Sequence, residues 1–205
     1  MARRTKEAAE QTRSEIIDAA RRVFSRRGVS QTTLEQIARE AGVTRGAIYW
    51  HFANKTELFF AMRDQVQIPL LDRMYNALLS AEGDPLAGLE QFMLQVIEGV
   101  SQDKQMRETY DIIAFKCEYV NDLEGVLGEM LKTCRDMVDR LEKTYQRAEA
   151  ANQLRNGVDP RLAALESYAF LSGLCRLWLS DHRGQIVRKQ TREMIAGHIA
   201  TRRRS

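Results

Sequence analysis

The stretch QTTLEQIAREAGVTRGAIYWHF, residues 31–52, constrains the fold of this chain more than any other. Thr33, followed by Gln36 three residues later, has the pattern of a capping box, which begins an α-helix. Gly42 follows this short helix where a left-handed backbone is needed, and Thr44 is placed to cap a second helix. Small residues beside the turn allow the two helices to cross closely. The spacing predicts a helix-turn-helix, whose second helix enters the major groove of DNA, although a helical hairpin within an α-bundle has a similar outline.

Composition places the chain among soluble, helical proteins. Its 205 residues are 44% hydrophobic and 29% charged, and a content of only three prolines favours long uninterrupted helices. The most apolar run, residues 168–179, is too short to cross a bilayer, and the N-terminus lacks the apolar stretch of a secretory signal. Cys117, Cys134 and Cys175 show no paired spacing, which is typical of a reduced compartment. We therefore predict an all-α cytoplasmic protein without a membrane partner.

Charge is divided unevenly along the chain. Residues 1–55 contain 11 Lys and Arg against six Asp and Glu, residues 56–182 contain 13 against 21, and residues 183–205 contain seven against one. A basic N-terminal end that carries a helix-turn-helix is suited to a polyanionic partner such as DNA. The acidic middle would repel DNA and therefore serves another purpose. We predict a DNA-binding domain at residues 1–55 and a second helical domain at residues 56–205.

The N-terminal residues are expected to support the motif. Residues 1–12 are polar and are expected to be flexible, so that Arg3, Arg4 and Lys6 either form a basic arm for the minor groove or fray into solvent. A first helix is predicted over about residues 13–27, with one apolar face toward the motif. The arginines in the second half of this helix are predicted to lie on its solvent side: Arg21, Arg22, Arg26 and Arg27.

The second helix of the motif carries the residues expected to contact DNA, because such helices read bases near their N-termini. Arg45 is predicted to make a bidentate contact with a guanine edge, and the two small residues after it allow close approach to the groove or contact with a thymine methyl group. Tyr49 and His51 are predicted to bond phosphates. Trp50 has two open interpretations, a contact with the DNA backbone or packing beneath the next helix. The predicted contact residues are Thr33, Thr44, Arg45, Gly46, Ala47, Tyr49, Trp50, His51 and Lys55.

A fourth helix is predicted to connect the two domains. Asn54 has the position of its N-cap, so Lys55 lies in the first turn, where the helix N-terminus helps it to hold a phosphate. Thr33, at the start of the first motif helix, is placed to meet a phosphate in the same way. The apolar pattern continues over residues 55–78, which makes this helix a mechanical link. Pro69 lies inside the run and is expected to kink or interrupt it.

The C-terminal half is predicted to dimerise through two helices. Residues 160–180 are apolar nearly all round, so one side of this helix can pack within its own domain and the other against a second copy. A closing helix, predicted over about residues 185–199, has a narrower apolar stripe and would complete a four-helix contact between two copies. The partner predicted at this surface is therefore a second copy of the same chain.

Polar residues embedded in the apolar stripes of the C-terminal half indicate a candidate ligand pocket. Tyr110, Ser172 and Arg176 are its polar members, and a structural ion pair or a solvent contact at the interface is the alternative role for Arg176. The apolar stripes also fit ordinary core packing. The acidic charge of the region favours cationic, lipophilic ligands. The predicted pocket residues are Phe92, Met93, Val96, Tyr110, Ala114, Cys134, Met137, Ser172 and Arg176.

The string TTLEQIAREAGVTRGAIYWHFANKTELF, residues 32–59, resembles the DNA-binding domain of TetR-family transcriptional repressors. Its GVTRGAIYWHF portion and the segment FKCEY at residues 115–119 are similar to multidrug-efflux repressors of the AcrR and TtgR type. The resemblance implies an all-α homodimer that binds a palindromic operator and releases it when a small lipophilic inducer enters the C-terminal domain. It also implies that the target is often a neighbouring multidrug efflux pump operon. Because the C-terminal domains of this family diverge widely, the identity of the inducer does not follow.

Other functions compete with this one. An enzyme is disfavoured because the three histidines are scattered, no cysteine has a local base or metal-ligand spacing, and no glycine-rich phosphate loop follows a strand. We therefore predict no catalytic residue, metal or cofactor. A redox sensor would use the cysteines, whose apolar surroundings are typical of inert thiols, and a constitutive nucleoid protein would not need the acidic domain. A TetR-like regulator of a metabolic or redox-sensing gene set, or activation in place of repression, stays open.

Overall fold

Nine α-helices make up the described part of the chain. A computed structural model describes residues 2–80, 83–117 and 124–204, and within these ranges the only β pairing is one isolated bridge. The all-α fold class predicted from the sequence is confirmed. The helices are α1 (Ala2–Arg27), α2 (Leu34–Ala41), α3 (Arg45–His51), α4 (Lys55–Ser80), α5 (Pro85–Gln102), α6 (Lys104–Phe115), α7 (Glu124–Ala150), α8 (Pro160–Ser180) and α9 (Thr191–Ala200).

The chain separates into two compact units, and each is built from two segments of sequence. The first unit comprises Met1–Ile68 and Gln105–Val126, and the second comprises Pro69–Lys104 and Leu127–Ser205. Apart from its first residue, α6 therefore belongs to the first unit together with α1, α2 and α3. The functional division expected at residue 55 stays a prediction.

The core of the first unit is built on α1. The predicted apolar face of this helix is buried, including Ile16 and Phe24, and the ring of Phe24 meets that of Phe59 on α4 edge-on at 6.4 Å. From α2 and α3, the buried Ile37 and Ile48 add to the same unit. Burial of this apolar surface anchors the two short helices, which would be too short to persist alone in water.

The N-terminal end of α1 differs from its predicted form. The helix begins at Ala2, so residues that were expected to be flexible are helical. Residues 6–10, KEAAE, are strong helix formers, and Lys6 lies 4.0 Å from Glu10 as an i, i+4 ion pair. The side chains of Arg3 and Arg4, named above as a possible arm, lie outside the described ones.

Arg21 is buried instead of facing solvent, with only 4% of the residue exposed. Its Nε donates to Thr109 Oγ1 of α6 at 3.1 Å, its Nη1 donates to Asp18 Oδ1 at 2.8 Å, and its Nη2 donates to Gln65 of α4. The prediction was wrong because α6 was expected in the other domain, so no helix was expected over this side of α1. Three acceptors offset the cost of burying the guanidinium.

The C-terminal end of α1 is also joined to the segment that follows α6. Val29 N–H donates to the Lys116 carbonyl oxygen at 2.8 Å, and Lys116 Nζ donates to the Ser25 carbonyl oxygen at 2.6 Å. Gly28 permits the turn at this point, since its φ is 80°, a backbone conformation that other residues rarely adopt. Two segments distant in sequence therefore hold the end of α1 in place.

α4 runs as one helix with Pro69 inside it, so of the two predicted effects, a kink or an interruption, the interruption is wrong. Proline has no amide hydrogen, and the helix therefore lacks one backbone hydrogen bond there. The helix has 26 residues, and the bonds on both sides of Pro69 are enough to continue it. Pro69 is also the first residue of the second unit, so this weakened turn coincides with the division of the chain.

The second unit contains α5, α7, α8 and α9. Asp84 caps α5 by accepting a bond from the Ala87 N–H at 2.9 Å, and its carboxylate pairs with Arg203 at 2.9 Å. The Arg203 guanidinium is the main cause of the lowered pKa of Asp84. This pair ties the last described residues to the start of α5. The buried side chains of the unit include Leu89, Phe92, Met93, Val96, Val138, Leu141, Tyr145, Leu174, Trp178, Ile195 and Ile199.

The closing helix begins at Thr191, later than the predicted start near residue 185. The buried Asp181 carboxylate accepts bonds from four consecutive backbone N–H groups, those of residues 185–188, at 2.9–3.3 Å. A side chain that takes up these amides holds the segment as a loop and delays the helix. Burial alone would raise the pKa of Asp181, but the four donors outweigh it and lower the pKa to about 2.

Asp181→Ala is expected to lower the melting temperature by about 5 °C, because four N–H groups lose their acceptor. Asp159→Ala is the matched control, since Asp159 accepts a single bond, from the Leu162 N–H at 2.7 Å, and its loss is expected to cost about 2 °C. Thermal unfolding followed by circular dichroism measures both. Equal shifts in the two variants would contradict the role assigned to Asp181.

Candidate DNA-binding surface and ligand-binding region

The turn between α2 and α3 has the geometry that its sequence predicts. Thr33 Oγ1 accepts a bond from the Gln36 N–H at 3.3 Å, and the Thr33 N–H donates to Gln36 Oε1 at 3.1 Å. Gly42 ends α2 with a φ of 70°, the left-handed conformation that favours glycine. Thr44 begins α3 by accepting a bond from the Ala47 N–H at 3.1 Å. The predicted helix-turn-helix is confirmed.

α3 turns one side to the core and the other to solvent. Ile48 is fully buried, whereas Trp50 is 73% exposed and the Arg45 side chain is 74% exposed. The interpretation that Trp50 packs beneath the next helix is therefore wrong, and its ring instead meets that of His51 edge-on at 4.5 Å. The predicted contact residues divide into the exposed Thr33, Thr44, Arg45, Gly46, Tyr49 and Trp50 and the partly buried Ala47, His51 and Lys55.

Glu35 of α2 joins two of the α3 residues predicted to contact DNA. Its Oε1 accepts a bond from the Tyr49 hydroxyl at 3.1 Å and lies 3.5 Å from Arg45 Nε. The Arg45 guanidinium also lies 5.6 Å from the centre of the Tyr49 ring. A glutamate in the first turn of a helix is common, so no pattern in the sequence pointed to this contact.

Lys55 and His51 occupy the boundary between α3 and α4. Asn54 Oδ1 accepts a bond from the Glu57 N–H at 2.8 Å, which confirms the predicted N-cap, and Lys55 Nζ donates to the Ser30 carbonyl oxygen at 3.2 Å. An ammonium group has three donors, so others stay available for a phosphate. Burial, followed by the positive charge of nearby Arg13, lowers the pKa of His51, and a neutral ring offers one N–H donor.

The residues predicted to line a ligand pocket fall in both units. Tyr110 and Ala114 lie on α6 in the first unit and are partly buried. In the second unit, α5 contributes three residues that are buried in the core: Phe92, Met93 and Val96. On α7, Cys134 and Met137 are partly buried, and on α8, Ser172 and Arg176 are exposed in the single chain.

Tyr168 brings two of these pocket residues together, although the sequence did not single it out. Burial, followed by the neighbouring Cys134 on α7, raises the pKa of Tyr168 to about 12, while the neighbouring Ser172 on α8 acts in the opposite direction. The tyrosine lies four residues before Ser172 and therefore shares its helix face, a spacing that could have identified it. Cys175 is different, because burial raises the pKa of its thiol to about 12, as expected for inert packing.

A second polar cluster joins α7, α8 and α9. The Tyr145 hydroxyl lies 2.6 Å from Ser167 Oγ, and Ser167 Oγ lies 2.9 Å from His198 Nε2. The His198 ring stacks on Phe170 with centroids 4.1 Å apart. Burial, followed by the positive charge of Arg202, lowers the pKa of His198 to about 4, so the imidazole is neutral at pH 7.

Acid is expected to destabilise the protein through His198. An imidazole that resists protonation when folded but titrates near pH 6.5 when unfolded loses folding free energy as the pH falls from about 6.5 to about 4. Between pH 7 and pH 5 the loss is about 1 kcal/mol, because solvent screens part of the effect. His198→Gln should remove this component in urea unfolding at both pH values, whereas the same change at the exposed His182 should not. An unchanged pH dependence in His198→Gln would overturn the assignment.

α8 has one buried and one exposed apolar side in the single chain. Ala163, Ser167 and Leu174 are buried, whereas Leu165 is 45% exposed and Leu177 is 51% exposed. Exposed leucines on a helix with a buried opposite face are typical of a surface that meets a partner. None of the helices in the described part of the chain combines the length and apolar character that a bilayer crossing needs.

Two family models match this chain. Residues 16–62 match the family described as bacterial regulatory proteins, tetR family, and residues 84–202 match the C-terminal region of MAATS-type transcriptional repressors. The HTH-type transcriptional regulator AcrR of Shigella flexneri is 37% identical over 198 residues, which cover 96% of this chain and 91% of that protein.

Two solved structures share the fold over nearly the whole chain. One is NalD, the secondary repressor of the MexAB-OprM multidrug efflux pump in Pseudomonas aeruginosa, with a TM-score of 0.87, 32% identity and coverage of 97% of this chain and 99% of NalD. The other is SmeT of Stenotrophomonas maltophilia in complex with triclosan, with a TM-score of 0.84, 31% identity and coverage of 95% of this chain and 93% of SmeT. These similar proteins are transcriptional regulators and not enzymes.

Proposed function

Because the chain belongs to the TetR family of bacterial regulatory proteins, we propose that it represses transcription by binding a palindromic operator as a homodimer, and that a small lipophilic ligand releases it. The exposed outer side of α3 is the observation that carries this proposal. Arg45 and Trp50 are each more than 70% exposed on a helix whose Ile48 is fully buried. Such a helix is held rigidly while its outer side is free to enter a major groove.

The DNA contacts are assigned by the position of each side chain. Arg45 reads a guanine edge, because a guanidinium offers two parallel donors to its O6 and N7 atoms. Tyr49, His51 and Trp50 contact the sugar-phosphate backbone and position the helix. At the N-termini of α2 and α4, Thr33 and Lys55 bind phosphates, where the helix dipole favours negative charge. Thr44, Gly46 and Ala47 complete the face that approaches the groove.

Dimerisation through α8 and α9 is supported by the exposed leucines of α8. Two copies related by a two-fold axis bury the same patch on each chain, which removes these side chains from water. A two-fold dimer also presents two α3 helices to a palindrome, in successive major grooves about 34–36 Å apart. The closing helix contributes its outer side over residues 191–200.

The second domain is proposed to bind the ligand. Tyr168, Cys134 and Ser172 give neighbouring polar groups on α7 and α8, an arrangement suited to a lipophilic molecule with a hydroxyl group. SmeT is similar over 95% of this chain and has been solved with the phenol triclosan. Arg176 and Met137 are further candidates on α8 and α7.

We propose that the regulated gene set is a multidrug efflux operon, because NalD represses an efflux pump and is similar over 97% of this chain. A different metabolic or redox-sensing gene set is the alternative. Ligand release requires the ligand to bind the DNA-incompatible state more tightly than the DNA-bound state, since equal affinity for both would change nothing. α4 contributes residues to both units, so it gives a continuous helical route from the ligand domain to the helix-turn-helix.

Footprinting of the full-length protein on the DNA flanking its own gene tests this function. We expect protection of one palindromic segment that is lost on addition of triclosan or of a cationic lipophilic dye, each tested separately. Loss with the dye alone would support the preference predicted from the acidic charge, and loss with triclosan alone would reverse it. Absence of any protected segment at moderate salt would overturn the proposed repressor function.

A further inference from the structure

Glu35 holds an unusual position for an acidic residue beside a surface that binds a polyanion. Its carboxylate accepts a bond from the Tyr49 hydroxyl at 3.1 Å and lies 3.5 Å from Arg45 Nε, while the Arg45 side chain stays 74% exposed. Bonds from its own backbone N–H, and then from Tyr49, lower the pKa of Glu35, so the group is ionised at pH 7. An ionised carboxylate therefore holds two side chains that the proposed function places on DNA.

Two physical effects follow from this arrangement. A long arginine side chain loses rotamer freedom when it binds, and a partner that already restricts it reduces that loss at the correct site. The carboxylate also repels phosphates and attracts the Arg45 guanidinium, which lies 3.5 Å away as an ion pair. On nonspecific DNA, Arg45 exchanges its contact with Glu35 for a contact with one phosphate, which gains little. A guanine edge instead supplies two aligned acceptors. The first effect strengthens specific binding, and the second weakens nonspecific binding.

We propose that Glu35 is a positioning residue that sets sequence specificity, by holding Arg45 and Tyr49 in place for the operator and by disfavouring all other DNA. This inference rests on the proposed DNA-binding function and adds to it a residue of α2 that reads no base. It predicts that the ratio of specific to nonspecific affinity depends on a side chain that has no contact with a base.

Glu40 provides a matched control on the same helix. Its carboxylate also has two partners, but both are arginines of α1: it lies 2.9 Å from Arg22 Nε and pairs with Arg26. Arg26 and then Arg22 lower the pKa of Glu40, so it too is ionised. Glu35→Gln and Glu40→Gln therefore remove the same charge from the same helix, and only the first acts on α3.

Fluorescence anisotropy with full-length protein tests the proposal on two duplexes, the footprinted fragment and a shuffled duplex of equal length and composition. Glu35→Gln should lower the affinity ratio between them by about fivefold, the scale of one exposed charge pair. Tyr49→Phe should lower the ratio in the same direction. Glu40→Gln should leave it unchanged within about twofold. Circular dichroism melting confirms that each variant is folded.

A double-mutant cycle decides whether Glu35 acts through its partner. In an Arg45→Ala background, Glu35→Gln should change the ratio by less than about twofold, because Arg45 is gone and only Tyr49 remains for it to position. Equal effects of Glu35→Gln and Glu40→Gln, or a full effect of Glu35→Gln without Arg45, would overturn the proposal while leaving the repressor function intact. Wild-type protein that does not distinguish the two duplexes would instead overturn both.

Discussion

Arg45→Ala is expected to weaken binding to the operator by about 10- to 100-fold, because a bidentate arginine–guanine contact contributes roughly 1–3 kcal/mol of discrimination. The side chain is exposed and makes only weak contacts, at 3.5 Å to Glu35 and 5.6 Å to the centre of the Tyr49 ring, so its removal should leave the fold intact. Binding to shuffled DNA should weaken only by the effect of one charge, which is about threefold at moderate salt. Anisotropy titrations on the two duplexes measure both losses.

Lys55→Ala is the comparison that separates a base contact from a phosphate contact. Lys55 lies at the first residue of α4 and donates to the Ser30 carbonyl oxygen, so we assign it to a phosphate and not to a base. Its removal should weaken specific and shuffled DNA by the same factor and reduce the slope of log affinity against log salt by about one. If Arg45→Ala also reduced both affinities equally, the assignment of Arg45 as the reading residue would be wrong.

Leu165→Glu is expected to abolish operator binding by splitting the dimer. The residue is 45% exposed on the outer side of α8, and two-fold symmetry would bring two new carboxylates into one apolar patch. Each half-site alone binds weakly, so the loss of the second head should cost more than about 100-fold in operator affinity. Sedimentation velocity and anisotropy on the same samples measure the mass and the affinity together.

Leu131→Glu is the matched control for this change. Leu131 is 57% exposed but lies on α7, outside the proposed dimer surface, so the variant should remain dimeric and bind the operator normally. A dimeric Leu165→Glu variant with unchanged affinity would show that α8 is not the interface. Dissociation of both variants to the same extent would indicate a general loss of folding, which circular dichroism would reveal.

The helix-turn-helix could be predicted from the sequence because local contacts determine it. Thr33, Gly42 and Thr44 act on backbone groups within four residues, so their spacing alone predicts where each helix starts or ends. The core positions of α1 were predicted for a similar reason, since the period of 3.6 residues shows which side is apolar.

Features that depend on distant contacts could not be predicted. Arg21 has the sequence surroundings of an exposed arginine, and its burial depends on Thr109, which lies 88 residues away. Asp181 looks like an ordinary helix end until its four N–H partners are seen. At the candidate sites, Glu35 was missed because it acts through residues on another helix, and Tyr168 was missed although its spacing to Ser172 could have identified it. The sequence showed which side chains are polar but not which helices meet.

The discontinuous make-up of the first unit limits how this protein can be cut and recombined. A fragment ending near residue 68 would retain Arg21 but lose its Thr109 acceptor, and it would also lose the bond between Val29 and Lys116. A chimera that grafts this head onto a foreign sensor therefore has to carry residues 105–117 along with it. A biosensor built from this scaffold therefore needs three junctions, one within α4 and one on each side of α6.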